Sequence, residues 1–435
     1  MNSHLPRRRF LQQTSLAAAG LWLTGCATSA RKISANDKLN IGVIGTANQA
    51  AWNLGQITQQ NIVAICDVDD LLLAAGSQKF PGAKTYNDFR RLIDQKDIDA
   101  ILVATPDHTH AVATVAALRS GRHVYCEKPL THTVSECRIV RELAKRQKVA
   151  TQMGTQIHAD NNYRRVVELI QSGAIGPVHE VHTWVSGGFG NKVLPKTTPP
   201  VPATLHYDLW LGPAAVRPYS PEYLPFVWRN WWAFGGGTLA DLACHHMDLP
   251  FWALGLRVPS SIEAEGPPVD PESTPHWLIV RYQFPGSSAR GSAASQPPVK
   301  LTWYHGDKKP PQMVEGKIPK WGAGNLFVGE KGMLLADYGK HLLLPEADFK
   351  DFKRPEPFIK NSIGHHKEWI EACKTGSATT CNFEYSGALT EAVLLGNVAF
   401  RAGKKLEWDP KKLRATNCPE ADQFIQHHYR KGWAI

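Results

Sequence analysis

The sequence predicts an α/β protein whose first half is a doubly wound parallel sheet. Three observations carry this expectation. From Leu39 onward, short apolar runs alternate with helical stretches, as βαβ units require. A glycine-bearing turn, Gly45-Thr46-Ala47-Asn48-Gln49-Ala50, follows the first apolar run. At 435 residues the chain also exceeds what one hydrophobic core usually serves, so two domains are expected.

The strands are placed over 39–44, 61–66, 99–105 and 123–126. Helical spacing fills 71–78, 88–95, 110–120 and 134–148. In the second half, strands are expected over 178–185, 276–284, 299–304, 325–328 and 332–336, with Pro/Gly/Ser-rich connections such as 286–298. Strong helical periodicity over 384–401 predicts a helix that packs back between the domains.

Composition is that of an ordinary folded enzyme, with 43% hydrophobic and 20% charged residues. The net charge is +10, but basic residues are interspersed with acidic ones, which describes a solvated face and no nucleic-acid partner. The eight cysteines contain no CxxC pair. Cys66, Cys126 and Cys244 sit in apolar runs and read as buried thiols, with no structural disulfide expected.

The N-terminus reads as a targeting signal over 1–26 and a polar tether over 27–38. Arg7-Arg8-Arg9-Phe10-Leu11 resembles a twin-arginine export motif, and Leu23-Thr24-Gly25-Cys26 resembles a lipobox. The apolar run between them is too short for the about 20 residues that span a bilayer. An exported, periplasmic lipoprotein anchored to the membrane at Cys26 is expected; an N-terminal amphipathic helix of the fold is the alternative.

The turn at Gly45 is a degenerate dinucleotide fingerprint. Gly45 suits the tight turn, whereas Ala47 puts a methyl where backbone approaches the pyrophosphate. Asp67 lies 22 positions after Gly45, at the end of the second strand. A carboxylate there accepts from both adenosine ribose hydroxyls and repels a 2′-phosphate, favouring NAD over NADP. The alternative is a solvated aspartate opening the next helix.

Two further motifs end later strands: Ala104-Thr105-Pro106-Asp107-His108-Thr109-His110-Ala111 and Tyr125-Cys126-Glu127-Lys128-Pro129-Leu130. Together with the fingerprint they resemble the Gfo/Idh/MocA oxidoreductases. The resemblance implies an NAD-binding Rossmann domain over 39–153, followed over 154–435 by an α+β domain on a large, open, mostly antiparallel sheet. It implies cofactor contacts from Gly45, Thr46, Ala47, Asn48, Asp67, Thr105, Pro106, His110, Glu127 and Lys128. The family's Asp-x-x-x-His is matched by Asp241 and His245, whose spacing puts both on one helical face. By that resemblance Lys128, Asp241 and His245 form the catalytic set: His245 as base, Lys128 on the developing alkoxide, Asp241 orienting the substrate. A helix-paired aspartate and a core histidine are the alternative.

Trp228-Arg229-Asn230-Trp231-Trp232 precedes that helix. Arg229, Trp231 and Trp232 are expected to contact substrate, since aromatic faces stack on sugar rings, although core burial is an equal alternative for any one tryptophan. His245-His246 and His365-His366 suggest a metal, but adjacent histidines diverge on a helix and no metal is expected. The expected enzyme moves hydride between NAD and a sugar or cyclitol hydroxyl, in a homo-oligomer. Two other readings remain: an NAD-dependent glycosidase or lyase that oxidises its substrate transiently, and a non-catalytic lipid-anchored sugar-binding protein.

Overall fold

The computed structural model describes residue 34 and residues 36–194, 196–286, 297–426 and 428–435. The expected leader over 1–26, most of the tether and most of the loop over 286–298 lie outside the described residues.

The first sheet is built from β1 (Asn40–Ile44), β2 (Asn61–Cys66), β3 (Lys84–Tyr86), β4 (Ala100–Val103), β5 (His123–Cys126) and β6 (Thr151–Met153). All pairs are parallel and the order is β3-β2-β1-β4-β5-β6, the doubly wound arrangement. Its central strands are apolar at successive positions: every residue of Ala100–Val103 is buried. That is the pattern of a strand covered by helices on both faces. The order reverses between β1 and β4, so the crevice opens at their carboxyl ends.

The second sheet contains β7 (Val178–Trp184), β8 (Ser261–Glu265), β9 (Leu278–Phe284), β10 (Val299–His305), β11 (Gly324–Gly329), β12 (Gly332–Ala336), β13 (His341–Leu344), β14 (Leu406–Asp409) and β15 (Arg414–Ala415). They run β13-β12-β11-β7-β10-β9-β8-β14-β15, and only β7 with β10 pairs parallel among the pairs described. Short elements such as Lys84–Tyr86 and Arg414–Ala415 have too few residues for an apolar period to show.

The helix Phe383–Ala402 joins the halves. Its Gly387 carbonyl accepts from Cys137 Sγ at 3.0 Å, and its Glu391 carboxylate takes two bonds of 3.0 Å from Arg138. At the other end Asn397 Nδ2 donates to the Gly236 carbonyl at 2.9 Å, beside the helix Gly237–His246. Cys66, Cys126 and Cys244 are buried thiols. Among the described residues no helix is long and apolar enough to cross a membrane.

Candidate functional site

A cavity of about 290 Å³ opens along the carboxyl edge of the first sheet. Gly45, Thr46, Ala47, Asn48, Asp67, Thr105, Pro106, Glu127 and Lys128 all line it, as the sequence leads one to expect. Gly45 is required by geometry: its φ is +94°, and a Cβ would stand 2.3 Å from the Ala104 carbonyl oxygen. Asn48 takes φ 51° and precedes the helix Gln49–Gln56, whose amino end faces the groove as a pyrophosphate site does.

Asp67 does not cap the next helix. That task falls to Asp69, whose carboxylate accepts from Leu71 N at 2.9 Å. Asp67 instead accepts from Thr46 N at 3.0 Å, Thr46 Oγ1 at 2.8 Å and Asp69 N at 3.1 Å. Burial raises its pKa, and these bonds counter only part of that. These three bonds fix the carboxylate on the cavity wall.

His110 departs from expectation. It is absent from the cavity wall; Nδ1 lies 2.7 Å from the Pro129 carbonyl and Nε2 2.8 Å from the Thr105 carbonyl. The ring is buried and ties the end of β4 to the loop after β5. It therefore braces two wall-forming loops from behind the cavity lining.

Glu127 lies on the wall and is fully desolvated, which raises its pKa. Oε1 accepts from Asn53 Nδ2 and Gln156 Nε2, both at 2.8 Å, and Oε2 is buried without a partner. A Cβ at position 154 would stand 2.4 Å from that oxygen, so Gly154 leaves it room.

Lys128, from the loop after β5, meets the helix Gly237–His246. Its Nζ donates to Asp241 Oδ1 and to the Asp241 carbonyl, each at 2.7 Å, and Arg229 Nε donates to the same Oδ1 at 2.8 Å. Burial alone would raise the Asp241 pKa, but the two cations overcome it and hold it at about 2. Arg229 is itself stacked, 4.1 Å from the Trp228 ring centroid and 4.4 Å from that of Phe226.

His245 sits one turn beyond Asp241 on the same helix. Burial, then the charge of Lys128, push its pKa well below 6.5, so the ring is neutral at neutral pH. Nδ1 is buried with no partner. Lys128 and Arg229 are on the cavity wall, whereas Asp241 and His245 are not.

Trp231 and Trp232, expected to contact substrate, do not line the cavity and are buried. Trp231 Nε1 donates to the Glu222 carbonyl at 2.7 Å, and its ring is 1% exposed. Trp232 Nε1 donates to the Asp270 carbonyl at 3.1 Å, under the Arg401 guanidinium. The extended chain after Asn230 sends both rings into cores, leaving Trp228 as the tryptophan of that run that lines the cavity. His365 and His366 diverge, toward the Met153 carbonyl and Asn53 Oδ1.

Asp107 is missing from the residues the sequence singles out, because its motif reads there only as the end of a strand. It opens the helix Asp107–Arg119, lines the cavity, and is 3% exposed. Burial and then the Asp241 charge raise its pKa to about 8, against the pull of Arg229 and Lys128. An acidic residue directly after Thr105-Pro106 was the available signal.

Comparison with known proteins agrees with this geometry. Residues 39–155 match the family model described as oxidoreductase family, NAD-binding Rossmann fold, and residues 159–289 match that family's C-terminal alpha/beta domain. The inositol 2-dehydrogenase of Salmonella typhimurium is 31% identical over 150 residues, which cover 33% of this chain and 45% of that protein. The match thus spans less than half the relative's length. In fold, the chain resembles the WlbA dehydrogenase from Bordetella pertussis in complex with NADH and UDP-GlcNAcA, with a TM-score of 0.61, 17% identity, and coverage of 86% of this chain and 99% of that one. It also resembles an aldose-aldose oxidoreductase from Caulobacter crescentus, with a TM-score of 0.55, 18% identity, and coverage of 85% and 100%. The fingerprint turn, the Asp67 carboxylate and these matches agree, and the chain belongs to the Gfo/Idh/MocA oxidoreductase family, with an NAD-binding Rossmann domain.

Proposed function

We propose that this chain moves hydride between a sugar or cyclitol hydroxyl carbon and NAD held along the first sheet. The observation that carries the reading is the convergence of Lys128 and Arg229 on an ionised Asp241, one helical turn from a neutral His245. NAD, when bound, supplies the hydride acceptor and donor.

The remaining work belongs to side chains. His245 is uncharged, so a ring nitrogen has a lone pair to take the hydroxyl proton. Lys128 Nζ has three N–H donors, of which Asp241 occupies two; the third serves the substrate oxygen as negative charge develops. Asp241 and Arg229 are held by each other and orient neighbouring hydroxyls. The inositol 2-dehydrogenase name of a relative and the sugar nucleotide bound to WlbA support a polyol substrate.

The segment with Arg7, Arg8 and Cys26 supports export through the twin-arginine route and lipid anchoring outside the cytoplasm. No NAD pool exchanges cofactor there, so a cycle that returns its own hydride fits that location. Transient oxidation would acidify the adjacent C–H and permit elimination from a sugar or glycoside, as in the glycosidase or lyase reading.

The test is to purify the protein without added cofactor, then follow the reduced-nicotinamide absorbance band and products against cyclitols, sugars and glycosides. Accumulated reduced cofactor with an oxidised product supports net dehydrogenation. A cleaved product with no net reduction supports the returning cycle. Neither absorbance change nor product across the screen would sink both.

A further inference from the structure

The wall of the cavity facing Asp67 comes from the second half of the chain. Residues 204–206 run antiparallel to Val68–Asp70, the three residues directly after Asp67. Asp70 N donates to the Thr204 carbonyl and His206 N to the Val68 carbonyl, both at 2.9 Å, on either side of a bridge between Asp69 and Leu205. The His206 ring adds a contact of 3.1 Å to Asp70 Oδ1.

Leu205, Leu209 and Trp210 then line the cavity, and Trp433 joins them from the C-terminus. Trp433 packs on Phe89 at 6.0 Å between ring centroids, with the Arg90 guanidinium 4.4 Å over it. The tail is tied to the same segment: Arg430 Nε donates to the Gly212 carbonyl at 2.9 Å and Nη2 to the Asp208 carbonyl at 2.7 Å. In doubly wound folds the adenosine lies beside the carboxylate that ends the second strand, and its flat ring favours apolar and aromatic walls.

We propose that residues 204–210 and Trp433 form a strap over the adenosine half of the NAD site, so that cofactor leaves only when the ladder to Val68–Asp70 opens. The inference rests on NAD binding by the first half, and it deepens the reading above. A strapped cofactor is retained between turnovers, which is what a chain that returns its own hydride requires.

The test is NAD release from the purified full-length holoprotein, followed as exchange of bound dinucleotide for isotope-labelled NAD by mass spectrometry. His206→Pro removes one rung and the Asp70 contact without demanding a new backbone shape, since His206 already has φ −75° and stands just before the helix Tyr207–Leu211. Trp433→Ala removes the C-terminal wall. Both are expected to release NAD at least about tenfold faster, the factor given by about 1.4 kcal/mol of lost interaction. Circular dichroism of the stripped proteins should show the wild-type fold at the assay temperature, and Leu209→Ala, which touches no rung, serves if His206→Pro or Trp433→Ala fails to fold. Unchanged release rates in folded variants would overturn the strap while leaving NAD binding intact. A wild-type protein that carries no dinucleotide and takes none up would instead overturn the NAD reading, and the strap with it.

Discussion

Lys128 Nζ and Asp241 Oδ1 lie 2.7 Å apart although 113 positions separate the two residues in sequence. Both side chains are nearly buried, at 12% and 11% exposure. Asp241→Asn would leave Lys128 and Arg229 as desolvated cations without their shared anion. Removing one partner of a buried pair costs about 3–5 kcal/mol. Urea unfolding should show that loss, and turnover on a verified substrate should fall with it.

His245→Ala should remove proton transfer and lower the rate by about 10²–10⁴ while NAD occupancy stays near wild type. Near-normal turnover in that variant would assign the base elsewhere, with Lys128 the next candidate.

Acid should destabilise the fold through its buried histidines. Burial lowers His246 and His365 to about 3 and His110 and His366 to about 4, from 6.5. A histidine depressed in the native state takes up its proton more readily when unfolded. Stability is therefore full above about pH 6.5 and is lost as pH falls toward the native values, by up to about 1.4 kcal/mol per pH unit for each group. Denaturant midpoints from pH 7.5 down to 4.5 check this; a flat profile would contradict it.

Asp107 carries the opposite sign. With its pKa raised by burial to about 8, the native state holds a proton that the unfolded chain has released. That contribution is fully present below about 3.8 and is lost as pH rises toward 8. Asp107→Asn mimics the protonated form, so its stability relative to wild type should increase between pH 5 and pH 8. Thermal melts at those two values measure the difference.

Asp67→Ala should weaken NAD binding by about 1.5–3 kcal/mol, the scale of hydrogen bonds to a charged group. Calorimetry on stripped protein reads this directly. Unchanged affinity would leave Asp67 with only its structural bonds to Thr46 and Asp69.

Export is testable apart from the chemistry. Arg7→Lys combined with Arg8→Lys should trap precursor in the cytoplasm, whereas Cys26→Ala should give soluble exported protein. Membrane attachment that survives Cys26→Ala would remove the lipid anchor.

Much of this molecule is written in contiguous residues. The strands Asn61–Cys66 and His123–Cys126, the turn at Gly45, the carboxylate at Asp67 and the one-turn spacing of Asp241 and His245 are local patterns, readable because period and spacing are properties of neighbours in the chain. Only tertiary packing decided which polar and aromatic groups face the cavity. Trp228 lines it while Trp231 and Trp232 enter cores, because the chain is extended at Trp231, where it pairs with Ser273. His110 braces two loops instead of lining the groove, since its partner carbonyls converge on it from the loops that follow two separate strands. Trp433 reaches the wall beside Phe89 from the far end of the sequence, and the charge states of Asp107, Asp241 and His245 follow from burial among one another. Desolvation and Coulomb interaction act through space, and no spacing along the chain encodes them.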